Sequence, residues 1–327
     1  MKNKQSLLVK LICSCQKLLR KSRILRYSCR FSKKTYTQHQ HILLLVLKTY
    51  FRRTYRETVE IIGELQGIRK RIRLRRIPHF TTLQKFMKRF NPLLLERLMY
   101  SMLNSFDCSR AAVDSTGFSS RYASRYYIDR IDGKGEVRSF MKASIAIDLK
   151  KQVVLSLKIR KAPANDSRDF IPLLKKIHPL LVIGDKGYDA EKNLRYLRSR
   201  SIQAVIPVRG GHASPSRTKL RKRMRKWFES NPVADEIYHE RSKVESVFSS
   251  LKRKFGDALL SRSTLLGKKE LKLRFFVYNV YRQCVFLFYG GFLQSPKGVF
   301  LIYPLILPCS SITHAFMSFG HAVETAS

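Results

Sequence analysis

Hydrophobic positions change their spacing along the chain, and the change divides it. From His41 to Phe51 the sequence is strongly apolar, and from Tyr55 to Leu65 the residues Val59, Ile62 and Leu65 recur at helical spacing. A further helix is expected to begin at Thr81, because Thr81 and Gln84 have the spacing of a capping box. It would place Leu83, Phe86, Met87 and Phe90 on a buried side and Thr82, Lys85 and Arg89 on another, the design of a helix that lies in a major groove. Residues 1–40 read as a leader with weak helical periodicity. After residue 105 the texture becomes that of strands, at 111–113 leading into Asp114, 143–147, 153–159, 180–184 and 202–208. Helices are expected at 169–177, 190–199, 235–255 and 271–288, and residues 209–234, rich in Gly, Ser, Pro and basic side chains, as an insertion or loop. This element order implies an α/β fold on one mixed sheet, preceded by an all-helical region.

Charge sharpens the division. Lys and Arg number 65 against 23 Asp and Glu, a net of +42, which points first to nucleic acid and second to an anionic membrane surface. Residues 1–100 hold 25 basic and 4 acidic residues, and residues 291–327 only Lys297 and Glu324. Most acids therefore sit in the middle segment, where some are available for chemistry. The apolar run from Val299 to Leu307 is interrupted by Pro304 and is far short of the roughly 20 residues that cross a bilayer. Six cysteines form no pair of Cys-x-x-Cys knuckles, and Cys13, Cys15, Cys29 and His39 match no common zinc template; free thiols in a reducing cytoplasm are expected.

Two acids follow apolar strands: Asp114 in Val113-Asp114-Ser115-Thr116-Gly117, and Asp185 in Gly184-Asp185-Lys186-Gly187-Tyr188-Asp189. The carboxyl ends of strands in open α/β sheets face the crevice where ligands gather. On the long helix expected over 235–255, Tyr238, Arg241, Glu245 and Lys252 share a stripe about 60° wide. It runs beside an apolar seam of Ile237, Val244, Phe248, Leu251 and Phe255. Asp235, Glu236 and Glu240 are ordinary first-turn acids, and Asp148, Asp166 and Asp189 are expected to be structural or capping. Trp227 is read as a packing residue and His79 as a turn residue.

The spacing Tyr238-x2-Arg241-x3-Glu245-x6-Lys252 resembles the signature of DDE transposases of bacterial and archaeal insertion sequences. The blocks around Asp114 and Asp185 resemble that group's two catalytic aspartate motifs, in order. Asn165-Asp166-Ser167 resembles the block before the second aspartate, although many relatives have His at the position of Asn165. Residues 41–90, with Pro78-His79-Phe80-Thr81-Thr82, resemble the group's DNA-binding region. The resemblance spans roughly residues 41–285 and implies a ribonuclease-H-like mixed sheet with flanking helices. It implies that Asp114, Asp185 and Glu245 are catalytic and hold Mg²⁺ or Mn²⁺, two ions. It also makes Tyr238, Arg241 and Lys252 DNA-binding residues, joined by Lys85 and Arg89 of the N-terminal region.

The partners implied are transposon terminal repeats and target DNA, a second copy of the chain in the synaptic complex, and no membrane; the location implied is the nucleoid of a prokaryotic cytoplasm. The domains expected are a basic leader (1–40), a helix-turn-helix-like region (41–105), a catalytic domain (106–290) and an atypical neutral tail (291–327). The alternatives are a catalytically silent or domesticated DNA-binding relative, and another ribonuclease-H-like nuclease.

Overall fold

Threonines set where the N-terminal chain turns helical. Thr37 accepts from the amide of Gln40, whose side chain returns to the Thr37 amide, and Thr54 and Glu57 repeat the exchange. These two capping boxes start α2 (Gln38–Phe51) and α3 (Tyr55–Glu64). The structure, a computed structural model, describes residues 5–103, 108–120, 140–162, 165–210 and 218–289. The neutral tail and residues 211–217 lie outside them.

The basic leader contains a helix, α1 (Leu7–Lys21), which buries Leu11, Ile12, Cys15 and Leu19 against α2 and α6 (Leu93–Leu103). Its apolar residues keep helical spacing despite the Lys and Arg between them. Between α3 and α6 lie α4 (Gln66–Arg71) and α5 (Phe80–Arg89). The capping box expected at Thr81 is absent. His79 is extended at φ −62°, ψ 145°, the helix begins at Phe80, and Thr81 falls inside the first turn. There its hydroxyl hydrogen-bonds His79 Nδ1 at 2.8 Å.

The sheet contains β1 (Arg110–Ser120), β2 (Met141–Asp148), β3 (Val154–Lys161), β4 (Leu181–Gly184) and β5 (Gln203–Val205). Their spatial order is β3-β2-β1-β4-β5, with β1, β2 and β3 antiparallel and β4 and β5 parallel to β1. A short β6 (Ala258–Leu259) pairs with the far end of β1. This is the mixed sheet that the alternation of strands and helices predicts.

The register fixes the site. β4 follows β1 from Arg110↔Leu181 to Val113↔Gly184 and stops there, while β2 accompanies β1 on to Phe118. Asp114 therefore stands in mid-strand, contrary to the expectation that it ends one. It is the first β1 residue past the β4 pairing, and Asp185 is the first residue past β4.

Helices α7 (Ser167–Leu174) and α8 (Glu191–Ser199) cover one face. Residues 209–234, expected as an insertion or loop, contain a 12-residue helix, α9 (Lys219–Ser230), with no buried residue. It rests on the core only by Leu220, Met224, Trp227 and Phe228, each partly buried, and its remaining side chains are mostly basic.

The single helix expected over 235–255 is two, α10 (Ala234–His239) and α11 (Ser242–Phe255). At the junction Arg241 N bonds Tyr238 O at 2.9 Å and Val244 N bonds Arg241 O at 2.9 Å, a tight i→i−3 pattern. The docking seam is Val244, Val247, Phe248, Leu251 and Phe255, with Ile237 only partly buried. Gly256, at φ +86°, ends α11 in a conformation that other residues rarely adopt. The last helix, α12 (Thr264–Tyr289), passes through the same core, contributing Phe275, Phe276 and Val280. Among the described residues no helix is long and apolar enough to cross a membrane.

Candidate active site

Alternation along β1 sends Ala112, Asp114, Thr116 and Phe118 toward one face of the sheet and Ala111, Val113, Ser115 and Gly117 toward the other. Each side chain of the first set that bears on chemistry meets a residue from the 234–255 helical pair. Arg241 Nη1 donates to Asp114 Oδ2 at 3.3 Å, and its Nη2 to Glu245 Oε1 at 2.8 Å. Tyr238 Oη donates to Asp185 Oδ1 at 3.3 Å. Lys252 Nζ donates to Thr116 Oγ1 at 2.8 Å and stands 5.4 Å from the centre of the Phe118 ring. The turn between α10 and α11 does not scatter the four signature residues. It brings Tyr238 onto the strand that supplies Asp185, while Arg241 and Lys252 reach β1.

Asp114 is far more enclosed than Glu245, its side chain 20% exposed against 58%. Burial pushes the Asp114 carboxyl above its ordinary value, and Asp185 and Glu245 push the same way. The Ser115 amide, which donates to Asp114 Oδ1 at 2.8 Å, and Arg241 oppose that shift without cancelling it. Burial, with Asp185 next, likewise raises the Tyr238 phenol. Arg241 is itself held protonated by Tyr238 and the three acids, which outweigh its partial burial.

Three carboxylates around one crevice are an all-oxygen donor set, which suits a hard divalent cation. In the present arrangement Arg241 supplies the positive charge between Asp114 and Glu245. Among the described residues no three His, Cys, Asp or Glu side chains are grouped closely enough to hold an ion without rearrangement. The chemistry of the donors fits a metal; the guanidinium occupies the bridging position.

The other expected residues are elsewhere. Lys85 and Arg89 are exposed on α5. Asp189 is buried and receives Arg221 of α9 and the Arg209 amide, and Asp148 accepts two turn amides, so both are structural as expected. Glu240 is spent on Arg110 and Lys243. Trp227 packs edge-on against Phe228, whose ring meets Tyr238 at 6.2 Å.

Asp166 is closer to the site than its expected capping role implies. It accepts from the Ser115 hydroxyl and pairs with Lys142 of β2, across the sheet from Asp114. Sequence reasoning also passed over Thr116 and Ser115. Their signal was the strand alternation itself, which puts residue 116 on the face of Asp114 and residue 115 on the opposite one.

No curated protein matches this sequence. Among solved structures, the synaptic complex of piggyBac transposase with hairpin DNA is similar at a TM-score of 0.40 and 9% identity, over 90% of this chain and 80% of that one. The family model for the transposase DDE domain matches residues 107–280, just over half of the chain and all of β1 to β6 with the helices between them. The chain belongs to the DDE transposases, enzymes that transfer polynucleotide strands.

Proposed function

We propose that Asp114, Asp185 and Glu245 are the catalytic and metal-holding carboxylates of this transposase, and that Tyr238, Arg241 and Lys252 grip the transposon end beside them. The observation that carries this reading is the convergence of β1, the end of β4 and the α10–α11 pair, where Arg241 bonds both Asp114 and Glu245, Tyr238 bonds Asp185, and Lys252 bonds Thr116 two residues along β1 from Asp114.

The metals are Mg²⁺ or Mn²⁺, two of them, and when bound they supply activation of the attacking oxygen and stabilisation of the leaving one. The chain's own cations do the rest. Arg241 offers a planar fork that fits a phosphate in two places, and Lys252 a single point charge held over Thr116. Tyr238 presents a phenol kept protonated, hence a donor to a phosphate oxygen. Lys85 and Arg89 on α5 serve the end sequence. The element is an insertion sequence of a prokaryote, the enzyme acts on nucleoid DNA in the cytoplasm, and synapsis of two ends calls for a homodimer. The domains run as a leader (1–40), a DNA-binding region (41–105) and a catalytic domain (106–290).

Alanine at Asp114, Asp185 or Glu245 should lower end cleavage at least about a thousandfold, since each removes several kcal/mol of transition-state stabilisation. End binding, read by fluorescence anisotropy, should stay within a few-fold. Full strand transfer by any one of the three variants would overturn the assignment, and hydrolysis by the native chain without joining of a 3′-hydroxyl would point to a plain nuclease.

A further inference from the structure

A second concentration of positive charge lies in the N-terminal region, away from the crevice. Between residues 69 and 76 the chain carries Arg69, Lys70, Arg71, Arg73, Arg75 and Arg76 and no acid. Ile72 and Leu74 are buried while Arg71, Arg73 and Arg75 beside them are exposed, so the turn after α4 points one set of side chains into the core and the other outward. Its backbone is pinned. Leu74 N bonds Arg69 O at 2.9 Å, the Gln16 side chain of α1 donates to Arg71 O at 2.9 Å, and Gln40 of α2 donates to Arg73 O at 2.6 Å. Arg73 is held at φ +54°, a conformation that a non-glycine residue keeps only where its surroundings impose it.

Gln66, Arg69, Lys70, Arg73, Leu74 and Arg75 line a cleft of about 470 Å³ with no carboxylate in its wall. Arg69 Nη1 bonds Gly63 O at 3.3 Å, and its Nε is buried without a partner. Among the described residues none of the six cations pairs with an acid, whereas Arg53, one helix earlier, faces Glu57. Like charges crowded on a rigid turn repel one another, and a polyanion laid across them relieves that repulsion. A pinned backbone also leaves less freedom to lose when the anion arrives.

We propose that this turn is a docking surface for the phosphate backbone of duplex DNA, which it contacts without reading sequence and apart from the α5 face that carries Lys85 and Arg89. The proposal rests on the DNA-binding reading above and adds a second contact to it. Residues 66–76 contain no aromatic side chain, so the turn lacks the stacking platform by which proteins hold unpaired bases. That favours a duplex over a single strand.

The test compares the native chain with the Lys70→Gln/Arg73→Gln/Arg75→Gln variant by anisotropy, across a salt series. The probes are a duplex carrying the element's end, a scrambled duplex, a single strand and an RNA duplex. Each phosphate contact contributes about 0.9 to the slope of log affinity against log salt, so the slope should fall by roughly 2 to 3. Affinity in about 0.1 M salt should drop at least about tenfold for both DNA duplexes, with their ratio unchanged. An unaltered slope and affinity would overturn the proposal, as would a loss confined to the single strand or to RNA. Lys70→Gln alone, on α4 before the pinned turn, should remove about one unit of slope and serves if the triple variant does not fold. Asp114→Ala should keep the native slope, so failure of the carboxylate assignment and failure of this surface give different results.

Discussion

The two faces of β1 treat polar side chains differently. Toward α11, Asp114 shares one guanidinium with Glu245 at 3.3 Å and 2.8 Å, keeps a fifth of its side-chain surface exposed, and is pushed toward protonation by burial. Toward α7, the Ser115 hydroxyl and Lys142 both reach Asp166, while Asp169, 1% exposed, takes Ser144 Oγ at 3.1 Å and Arg160. One face leaves a carboxylate under-compensated at a crevice; the other pairs its carboxylates with cations and hydroxyls, Asp169 below the surface and Asp166 nearer to it. Groups held against their own ionisation preference are where proteins place chemistry, and groups fully paired are where they place structure.

Exchanging the roles tests that contrast most severely. Asp169→Ala strands Arg160 and Ser144 beneath α7 and should cost roughly 3 kcal/mol, a fall in melting temperature of about 6 °C or more. Asp114→Asn removes a carboxylate that the fold already holds protonation-prone, so its melting temperature should match or exceed the native value while cleavage disappears. Calorimetry on both variants decides. Equal losses of stability would mean that the two faces do not differ in kind.

The near face was readable from sequence because its chemistry lies in a spaced signature. Arg241, Glu245 and Lys252 keep helical spacing within α11 and its first turn, and strand-end glycines flag Asp185. The break at Glu240 was not readable, because Asp235 to Phe255 contains no Pro or Gly before Gly256. At the break Glu240 pairs with Arg110, 130 positions earlier in the sequence, a contact that no local pattern shows. Nor does the sequence of β1 by itself show that β2 accompanies it on to Phe118, which decides that Asp114 is mid-strand. The capping signals at Thr37 and Thr54 were present in the letters, and the one at Thr81 was a false positive. Pattern locates a helix start only when the residue before it is free to be the cap, and His79 already held that place.

Within the near face, Arg241 and Lys252 should not be equivalent. Arg241 joins two carboxylates, whereas Lys252 holds one hydroxyl and lies by one ring. Arg241→Gln should weaken productive binding of the end by about tenfold or more, and Arg241→Lys should recover little of it, since an ammonium does not reproduce the planar fork. Lys252→Ala should lose less. Cleavage titrated against end concentration separates these, and a full rescue by Lys at 241 would reduce its part to bare charge.

The contrast between faces equates a poorly satisfied buried polar group with function, and His41 marks where that equation stops. It is 9% exposed on α2, stacks on Phe86 at 4.5 Å between ring centres, meets Tyr36 edge-on at 5.6 Å, and has no partner for Nε2. Burial, with Arg89 adding its charge, pulls the imidazole down to about 4, against a hydrogen bond to Thr37 that favours the proton. The folded chain then keeps His41 neutral where the unfolded chain, with a value near 6.5, has begun to take up a proton. Stability is full above that value and declines as pH falls from 6.5 toward 4, by on the order of 1 kcal/mol between pH 7 and pH 5. His41→Phe, which keeps the stack on Phe86, should flatten that part of the melting-temperature profile and leave end cleavage at neutral pH unchanged. A profile as steep as the native one would place the acid sensitivity in the carboxylates instead, and a loss of cleavage would make His41 part of the active machinery after all.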